Sequence, residues 1–477
     1  MKGMPTRRAF LASGALLPAV LRAADPAPYG AVPSARQMRW HALETTAFLH
    51  FTVNTFTDKE WGYGDEDPNI FNPARFDADA IVEALDAAGM RGVILTCKHH
   101  DGFCLWPTAT TDHCIRNSSW RGGKGDVVRD VAAAAARRKM LFGVYLSPWD
   151  RNSAAYGTPE YVPLYRRQLS ELLSNYGPIF EVWHDGANGG DGYYGGARQK
   201  RTIDKRTYYD WPRTWELVRS LQPDAVIFSD VGPDVRWVGN ERGIAGDPCW
   251  AAYDPVAADG GPASPGDVRE KESPAGHRHG SKWLPAECDV SIRPGWFWHE
   301  SQNARVKTPA QLIDLYYVSA GRGANLLLNV PPNRDGLLNA EDVASLKQFG
   351  DYRRKVFGSD KAAGAKVSAG AGALVDRKAE SWWAAPSLTP EVTIDLPQPA
   401  TFRVIRLKEA IRFGQRIDRV AVDRWDSGEW QQLAAATSIG PRRLIRLEQP
   451  VTAQRLRLRV TEASANPVLS GFALFAE

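Results

Sequence analysis

Nearly continuous apolar runs of strand length recur along the first three quarters of the chain and alternate with segments of helical period. The apolar runs lie at residues 47–49, 92–95, 141–145, 179–183, 225–228 and 325–328. The helical patterns cover residues 78–88, 127–138, 161–174, 211–221 and 309–320. Strands that are apolar on both faces are typical of parallel sheets built from β-α-β units. Six or seven such units between residues 40 and 350 predict an α/β fold of the (β/α)8 barrel type.

A doubly wound open sheet is the alternative for the same alternation of strands and helices. Sheets of that kind that bind dinucleotides carry a G-x-G-x-x-G turn after the first strand, and none follows residues 47–49. The barrel is therefore preferred. A Gly-, Pro- and His-rich stretch at residues 257–280 is expected to connect the fifth and sixth predicted strands as a long loop, and a loop of this length can serve as a lid.

The pattern changes after Phe357. Residues 358–372 are rich in Ala, Gly and Lys, which predicts a linker. Alternating runs at residues 392–396, 402–407, 419–423 and 455–460 then predict antiparallel strands with one face in water. We therefore expect a catalytic barrel domain at residues 28–357 and a β-sandwich at residues 373–477, of the galactose-binding or carbohydrate-binding kind.

The first 24 residues have the features of an export signal. Arg7 and Arg8 precede an apolar stretch at residues 11–21, which is too short to cross a bilayer as a mature helix. The paired arginines predict the twin-arginine type, and hence a bacterial periplasmic or secreted protein. A frayed terminal helix on a cytoplasmic protein is the alternative. No later segment is apolar enough to predict a membrane span.

Composition narrows the possible functions. The chain has 477 residues, 43% of them hydrophobic, and 59 Lys and Arg against 55 Asp and Glu, so the net charge is +4. An ordinary folded protein without clustered basic residues is expected, and no nucleic-acid partner. The five cysteines are an odd set without scaffold spacing, which argues against a disulfide framework. The chain contains 17 Trp, whose flat faces can stack on sugar rings, although packing in the protein core explains the same number.

The predicted barrel strands end in polar and aromatic residues, and the C-terminal ends of the strands carry the active site in this architecture. The clusters contain His50, Glu60, Trp61, His99, His100, Asp101, Tyr145, Trp149, Asp150, Trp183, Asp185, Asp230, Glu241, Glu287, Trp296 and Trp298. An isolated Asp after a strand can be explained by helix capping, and an isolated Trp can be explained by packing. Neither explains why six strands all end in polar and aromatic residues. Carboxylates, histidines and tryptophans at one mouth predict a sugar-cleaving pocket.

Two neighbouring histidines raise the question of a metal site. His99 and His100 lie between Cys97 and Cys104, but adjacent side chains of a regular strand point to opposite faces. They can share one pocket only if the strand has ended or bulged there, which Gly102 makes plausible. No metal and no cofactor are therefore expected.

Several motifs together resemble the α-L-fucosidases of glycoside hydrolase family 29. They are Leu-His-Phe at His50, Glu60-Trp61-Gly62, Lys98-His99-His100-Asp101-Gly102-Phe103, Trp183-His184-Asp185-Gly186 and Trp237-Val238-Gly239-Asn240-Glu241. The likeness runs in order from about residue 35 to 475. The Trp-Val-Gly-Asn-Glu form, with Gly295-Trp296-Phe297-Trp298 and Gly414-Gln415-Arg416-Ile417, resembles the branch that prefers α-1,3- and α-1,4-linked fucose on branched glycans.

The resemblance implies a retaining exo-glycosidase that acts on fucosylated oligosaccharides or glycoconjugates. Asp185 is then the nucleophile and Glu241 the acid/base, with Glu287, a Glu before Cys in a late segment, as the second candidate. The implied substrate-binding residues are His50, Glu60, Trp61, His99, His100, Tyr145 and Trp183, with Trp296 and Trp298 as an aromatic platform. His184 departs from the apolar or amide residue that is common in the family.

Other functions stay open at this point. A broad-specificity fucosidase that also cleaves α-1,2 linkages is one, and a glycan-binding protein without turnover is another, although both carboxylates of the proposed mechanism are present. The C-terminal sandwich is expected to buttress the barrel, with glycan binding through Trp382, Trp383, Trp425 or Trp430 as the alternative. The oligomeric state does not follow from the sequence.

Overall fold

A closed barrel of eight parallel strands forms the larger part of the computed structural model, which describes residues 25–477. The strands are β1 (Thr45–Leu49), β2 (Gly92–Lys98), β3 (Leu141–Leu146), β4 (Glu181–Trp183), β5 (Val226–Ser229), β6 (Val235–Trp237), β7 (Ala286–Ser291) and β8 (Asn325–Asn329). They follow one another in chain order around the barrel, and β8 pairs with β1. The predicted barrel fold is confirmed.

Helices pack around the strands. They are α1 (Ala35–His41), α2 (Val53–Thr57), α3 (Ala78–Ala87), α4 (Val127–Arg137), α5 (Tyr161–Asn175), α6 (Trp211–Leu221), α7 (Pro309–Val318) and α8 (Ala340–Phe357). Five of them begin at a side chain that accepts a hydrogen bond from the first turn: Ser34 from Gln37 N, Thr52 from Asn54 N, Asp77 from Ala80 N, Asp126 from Arg129 N and Thr308 from Gln311 N. Such caps satisfy backbone donors that have no partner within the helix, and they fix where each helix starts.

Two barrel strands do not show the apolar pattern from which the other strands were predicted. Strand β6 has three residues, one of them the buried Arg236, and β7 contains the buried carboxyls of Glu287 and Asp289. No helix separates β5 from β6, which are joined by residues 230–234. The loop at residues 257–280 therefore connects the sixth and seventh strands, not the fifth and sixth as the sequence suggested. The buried polar residues of both strands interrupt the apolar pattern, so the sequence did not predict either strand.

The C-terminal region is antiparallel, as predicted. Its main strands are β9 (Glu391–Glu409), β10 (Ile417–Asp426), β11 (Glu429–Ala436), β12 (Arg443–Ala463) and β13 (Val468–Phe475). Strands β9 and β12, with 19 and 21 residues, pair with each other along three stretches separated by two register shifts. Residues of both strands contribute to one hydrophobic core. The short strand Lys366–Val367, in the segment predicted as a linker, pairs with β9.

The C-terminal sheet is attached to the barrel and to the segment that precedes it. Arg443 forms an ion pair with Asp247 at 2.7 Å, and Ser438 Oγ accepts a hydrogen bond from Cys249 N at 2.9 Å. Tyr29 N donates to Phe413 O at 3.0 Å, and Arg416 donates to the carbonyl of Ala27. The N-terminal arm at residues 27–29 is therefore held by the last domain rather than by the barrel alone.

The predicted export signal at residues 1–24 lies outside the described residues, so the twin-arginine type and the periplasmic or secreted location stay predictions. Between residues 25 and 477, no helix is both long and apolar enough to cross a membrane.

Candidate active site

A cavity of about 280 Å³ opens at the C-terminal ends of the barrel strands. Its walls combine aromatic rings, imidazoles and carboxyl groups: Phe48, His50, Trp61, His99, His100, Trp183, Asp185, Asp230, Trp237, Glu241, Glu270, Asp289 and Trp296. Ligand pockets for small molecules begin at roughly 300 Å³, so the space suits a compact ligand such as one sugar ring. The sequence-predicted residues His50, Trp61, His99, His100, Trp183, Asp185, Glu241 and Trp296 all line it.

Asp185 follows β4 and reaches the cavity with 23% of its side chain exposed. Tyr145 OH donates to its Oδ2 at 2.9 Å, and the backbone N–H of Ala187 donates to its Oδ1 at 2.7 Å. His100 Nε2 lies 3.8 Å from Oδ2. Burial raises the pKa of Tyr145 well above its ordinary value, so this hydroxyl keeps its proton and remains a donor. The carboxylate is thereby oriented by two fixed donors while solvent and ligand can still reach it.

The cavity histidines are neutral, because burial lowers the pKa of His50 to about 3, that of His100 to about 4 and that of His99 well below its ordinary value. His50 Nδ1 lies 2.8 Å from Asn329 Oδ1. The amide nitrogen of Asn329 donates to Ser291 Oγ at 2.9 Å, which leaves its oxygen as the acceptor for a proton on His50 Nδ1. A neutral imidazole offers one donor and one acceptor, a combination suited to sugar hydroxyls.

His99 and His100 share the cavity because the strand has ended. Strand β2 stops at Lys98, and its pairing with β3 shifts register between Thr96 and Lys98. Gly102 then adopts φ +82°, a left-handed conformation that favours glycine. The two imidazole rings lie 4.0 Å apart, and His100 Nδ1 is 2.7 Å from Ser147 Oγ. The condition that the sequence set for a shared pocket is met.

Glu241 sits at the mouth of the cavity, on the loop after β6, with its side chain open to solvent on one side. Desolvation by the cavity wall raises the pKa of Glu241; the Trp296 side chain opposes this, and the negative charges of Asp185 and Glu60 add to it. Arg236, five residues before Glu241 in the chain, is not an ion-pair partner for it. Arg236 is instead buried and donates to the carbonyls of Ser273 and Trp250 at 2.9 and 3.0 Å.

Glu287, the second candidate for acid/base, is fully buried and does not line the cavity. Its Oε1 accepts a hydrogen bond from Trp183 Nε1 at 3.0 Å, while Glu181 Oε2 accepts one from Trp40 Nε1 at 3.1 Å. Burial raises the pKa of both carboxyls, and each interacts with the other. Glu181 Oε1 and Glu287 Oε2 have no other partner in the described chain, so a proton held by one carboxyl can be shared with the other. Glu287 thereby supports Trp183 through its Oε1.

Three predicted substrate-binding residues do not line the cavity. Tyr145 acts at its edge through Asp185. Glu60 is engaged elsewhere: Oε2 accepts from Trp296 N at 2.8 Å, and Oε1 lies 2.7 Å from His299 Nε2. Trp298 is buried at 7% exposure, so the predicted aromatic platform is reduced to Trp296. Glu60 anchors the segment that carries that ring.

The structure also brings in residues that the sequence analysis did not single out. Asp289 accepts a hydrogen bond from Trp237 Nε1 at 2.7 Å, and burial raises its pKa well above the ordinary value. Glu270 comes from the long loop. The two-residue spacing of Glu287 and Asp289 in one strand was the available signal, because it places both on the same side of the barrel wall.

The long loop at residues 257–280 forms one wall of the cavity. The backbone N–H of Gly266 donates to Asp230 Oδ2 at 2.7 Å, and desolvation raises the pKa of Asp230 to about 7. Arg206 pairs with Asp259 at 2.7 Å and with Asp267 at 2.8 Å from outside. The loop is thus held on both sides, over the cavity by Asp230 and at the surface by Arg206.

Comparison with known proteins gives one consistent picture. The family model described as alpha-L-fucosidase matches residues 30–356. The chain is 40% identical to alpha-L-fucosidase 1 of Arabidopsis thaliana over 95% of this chain and 89% of that protein. A glycoside hydrolase 29 family member from a rumen bacterium superposes with a TM-score of 0.84 at 41% identity, covering 94% of this chain and 78% of that one. A Ruminococcus gnavus GH29 fucosidase in complex with fucose has a TM-score of 0.84 at 31% identity, covering 96% and 97%.

Proposed function

The chain belongs to the α-L-fucosidases of glycoside hydrolase family 29, and from that premise we propose that it releases α-L-fucose from α-1,3/1,4-fucosylated glycans by a retaining double displacement. The observation that carries the mechanism is the placement of Asp185 and Glu241 in one cavity with different surroundings. Asp185 is oriented by two fixed donors, whereas desolvation raises the pKa of Glu241. One carboxyl group suits nucleophilic attack and the other suits proton transfer.

In the first step, an Asp185 oxygen attacks the anomeric carbon while Glu241 protonates the departing glycosidic oxygen, which gives a covalent fucosyl-enzyme. In the second step, Glu241 takes a proton from a water molecule, and that water displaces Asp185 from the anomeric carbon. Glu241 thus ends protonated and Asp185 ionised, as at the start. Two inversions at the same carbon give net retention.

The fucose ring is bound by the neutral imidazoles of His50, His99 and His100, which exchange hydrogen bonds with its hydroxyls. The rings of Trp61 and Trp183 provide the apolar walls. Tyr145 and Glu60 act indirectly, through Asp185 and through the Trp296 segment.

Glu241 is preferred over Glu287 as the acid/base because of access. A general acid must come within hydrogen-bond reach of the oxygen that it protonates. Glu241 lines the cavity and meets solvent, whereas Glu287 is fully buried, with Trp183 bonded to its Oε1.

The proposed linkage preference rests on Trp296. Its ring lies at the cavity wall beside His50, with the ring centroids 5.1 Å apart, where a second sugar of a branched glycan can stack. Binding energy from that remote sugar orients the scissile bond and raises kcat/KM. An aryl fucoside has no group that can make this contact.

A comparison of three substrates tests the preference. We expect a Lewis-type trisaccharide to exceed a 2′-fucosylated disaccharide and an aryl fucoside in kcat/KM by about one to three powers of ten, or roughly 1.4 to 4 kcal/mol. Trp296→Ala should reduce this advantage and leave the aryl fucoside nearly unaffected. Equal or better rates of the wild type on the two simpler substrates would assign the enzyme to the broad-specificity branch.

A further inference from the structure

The C-terminal region carries four tryptophans, and the structure separates them into two groups. Trp383 is buried, and its Nε1 donates to Ala369 O at 3.1 Å, so it belongs to the core of the sheet. Trp382 packs between Phe413, at 5.4 Å between ring centroids, and the guanidinium of Arg412 at 4.1 Å. Both have ordinary structural roles. Trp425 and Trp430 do not fit either description.

Trp425 and Trp430 are cross-strand partners beside the turn that joins β10 to β11, with ring centroids 5.1 Å apart at an interplanar angle of 72°. Val422 of β10 faces the hydrophobic core. Because side chains alternate between the two faces of a strand, Asp423 and Trp425 lie on the opposite, outer face. Trp425 is 41% exposed. Within the described chain, the only other tryptophan as exposed is Trp61, at 52%, in the candidate active site.

The tryptophan pair is remote from the barrel. Strands β10 and β11 meet the barrel domain at their other end, where Arg278 pairs with Asp418 and Ser438 bonds to Cys249. Seven residues of extended strand separate Asp418 from Trp425, which is about 23 Å at 3.3 Å per residue. The pair therefore neither buttresses the barrel nor belongs to the catalytic cavity.

A fixed polar network borders the two rings. The guanidinium of Arg457 lies 4.7 Å from the Trp430 ring centroid, and its Nε donates to Asp423 at 2.8 Å. Arg459 donates to the same carboxylate at 2.7 Å and to Gln432 at 3.1 Å. Asp423 is buried at 1% exposure beneath these arginines. The donors and acceptors are thus held in place by one another.

The charge balance of this face decides which ligand it fits. Arg457 also pairs with Glu391 at 3.1 Å, and Arg455 pairs with Asp395 at 3.2 Å. Because each of these arginines has a carboxylate partner, the face offers no surplus positive charge for phosphate or nucleic acid. Two tryptophan rings are also far smaller than the roughly 1,200–2,000 Å² of a stable protein interface. A flat ring beside fixed neutralised donors suits an uncharged polyhydroxylated ligand.

We propose that Trp425, Trp430 and the bordering Arg457 and Gln432 form a second sugar-binding site, which holds a neutral oligosaccharide chain of the glycan on which the enzyme acts. The site is separate from the fucose pocket, and it tethers polymeric substrate near the enzyme. A single stacking platform gives weak binding, with a dissociation constant on the order of 1 mM. Tethering acts through effective concentration, so it matters for large glycans and not for small ones.

Electrophoresis in native gels that contain a neutral polymer carrying α-1,3/1,4-fucosylated oligosaccharides tests the binding without turnover. Excess L-fucose in the gel occupies the catalytic pocket. We expect the wild type and Trp425→Phe, which keeps a flat ring, to be retarded, and Trp425→Leu to migrate as in a gel without polysaccharide. Leu388→Ala removes another exposed apolar side chain of the same domain, 48% exposed, and serves as the control that stays retarded.

The kinetic readout separates tethering from folding. For Trp425→Leu we expect kcat/KM on the neutral polymer that carries α-1,3/1,4-fucosylated oligosaccharides to fall about three- to tenfold, with kcat/KM on an aryl fucoside unchanged. Equal retardation of the wild type and Trp425→Leu would overturn the proposal. So would a wild type that only dextran sulfate retards, since that would indicate an anion site. Retardation needs no catalysis, so its failure is distinct from failure of the double-displacement mechanism.

Discussion

Replacing Glu241 and Glu287 separately by Gln distinguishes the proton-transfer residue from the buried carboxyl. Gln keeps the size of Glu but cannot transfer the proton. General acid–base catalysis contributes about 10²- to 10⁴-fold, or roughly 2.7 to 5.4 kcal/mol, and Glu241→Gln should forfeit most of it on natural oligosaccharides. With an activated aryl fucoside the loss in kcat/KM should be much smaller, because a phenolate leaves with little protonation.

Glu287→Gln should behave differently because of its contacts. The amide oxygen can still accept from Trp183 Nε1, and the amide N–H can replace the shared proton toward Glu181. We expect kcat/KM to stay within about threefold of the wild type on every substrate, less than 1 kcal/mol. Glu287→Leu removes the acceptor and leaves the Trp183 N–H unsatisfied, which costs about 1 to 3 kcal/mol of stability.

The assay is kcat/KM for aryl fucosides of graded leaving-group pKa and for a Lewis-type trisaccharide. Glu270→Gln, which alters another carboxyl of the same cavity, is the matched control and should show no dependence on the leaving group. A steep dependence in Glu287→Gln together with a flat one in Glu241→Gln would refute the assignment of Glu241.

Three further outcomes are expected. Asp185→Ala should abolish turnover of an aryl fucoside, and added azide should yield only the inverted β-fucosyl azide, whereas Asp230→Asn should keep the retaining course; wild-type-like turnover of Asp185→Ala would remove the nucleophile from its role. Excess EDTA should leave kcat/KM unchanged, because both proposed catalytic groups are carboxyls; loss of activity that zinc or calcium restores would contradict this. His184 is buried, contacts Tyr165 OH at 2.9 Å through Nδ1, and has its pKa lowered by burial to about 3. Below pH 6.5 the unfolded chain therefore binds a proton at this residue that the folded chain does not bind, so the free energy of unfolding decreases as the pH is lowered. Urea unfolding at pH 7 and pH 5 should show the wild type losing about 2 kcal/mol more than His184→Asn; equal losses would refute the buried neutral imidazole.

The sequence predicted those barrel strands that are buried on both faces, because such strands consist of nearly continuous apolar residues. Strands β1 to β5 and β8 were visible for that reason, and the residues at their ends became the cavity wall. Strands β6 and β7 were not predicted, because the buried polar residues Arg236, Glu287 and Asp289 interrupt the apolar pattern, and their partners come from other segments of the chain. A buried polar residue cannot be distinguished from an exposed one by the local sequence.

The sequence also could not predict the direction of side chains in irregular segments. Trp296 and Trp298 lie outside the strands, where no alternation applies, and only one of them reaches the cavity. Glu60 was expected to bind substrate and instead binds the Trp296 backbone, a contact 236 residues away in the chain. At His99 and His100 the alternation of a strand was informative, because both rings can enter one cavity only where the strand has ended or bulged. Strand β2 ends at Lys98, so this condition is fulfilled.

The arm that precedes the barrel has a consequence for the order of folding during synthesis. The guanidinium that binds the Ala27 carbonyl belongs to Arg416, 389 residues later in the chain. A ribosome adding about 5 to 20 residues per second needs roughly 20 to 80 s to produce that partner. Throughout this interval the barrel can assemble, but the hydrogen bonds that hold residues 27–29 lack their partners in the last domain. Completion of the native state therefore waits for the last domain, and a chain interrupted before Arg416 leaves its N-terminal arm open to chaperones and proteases.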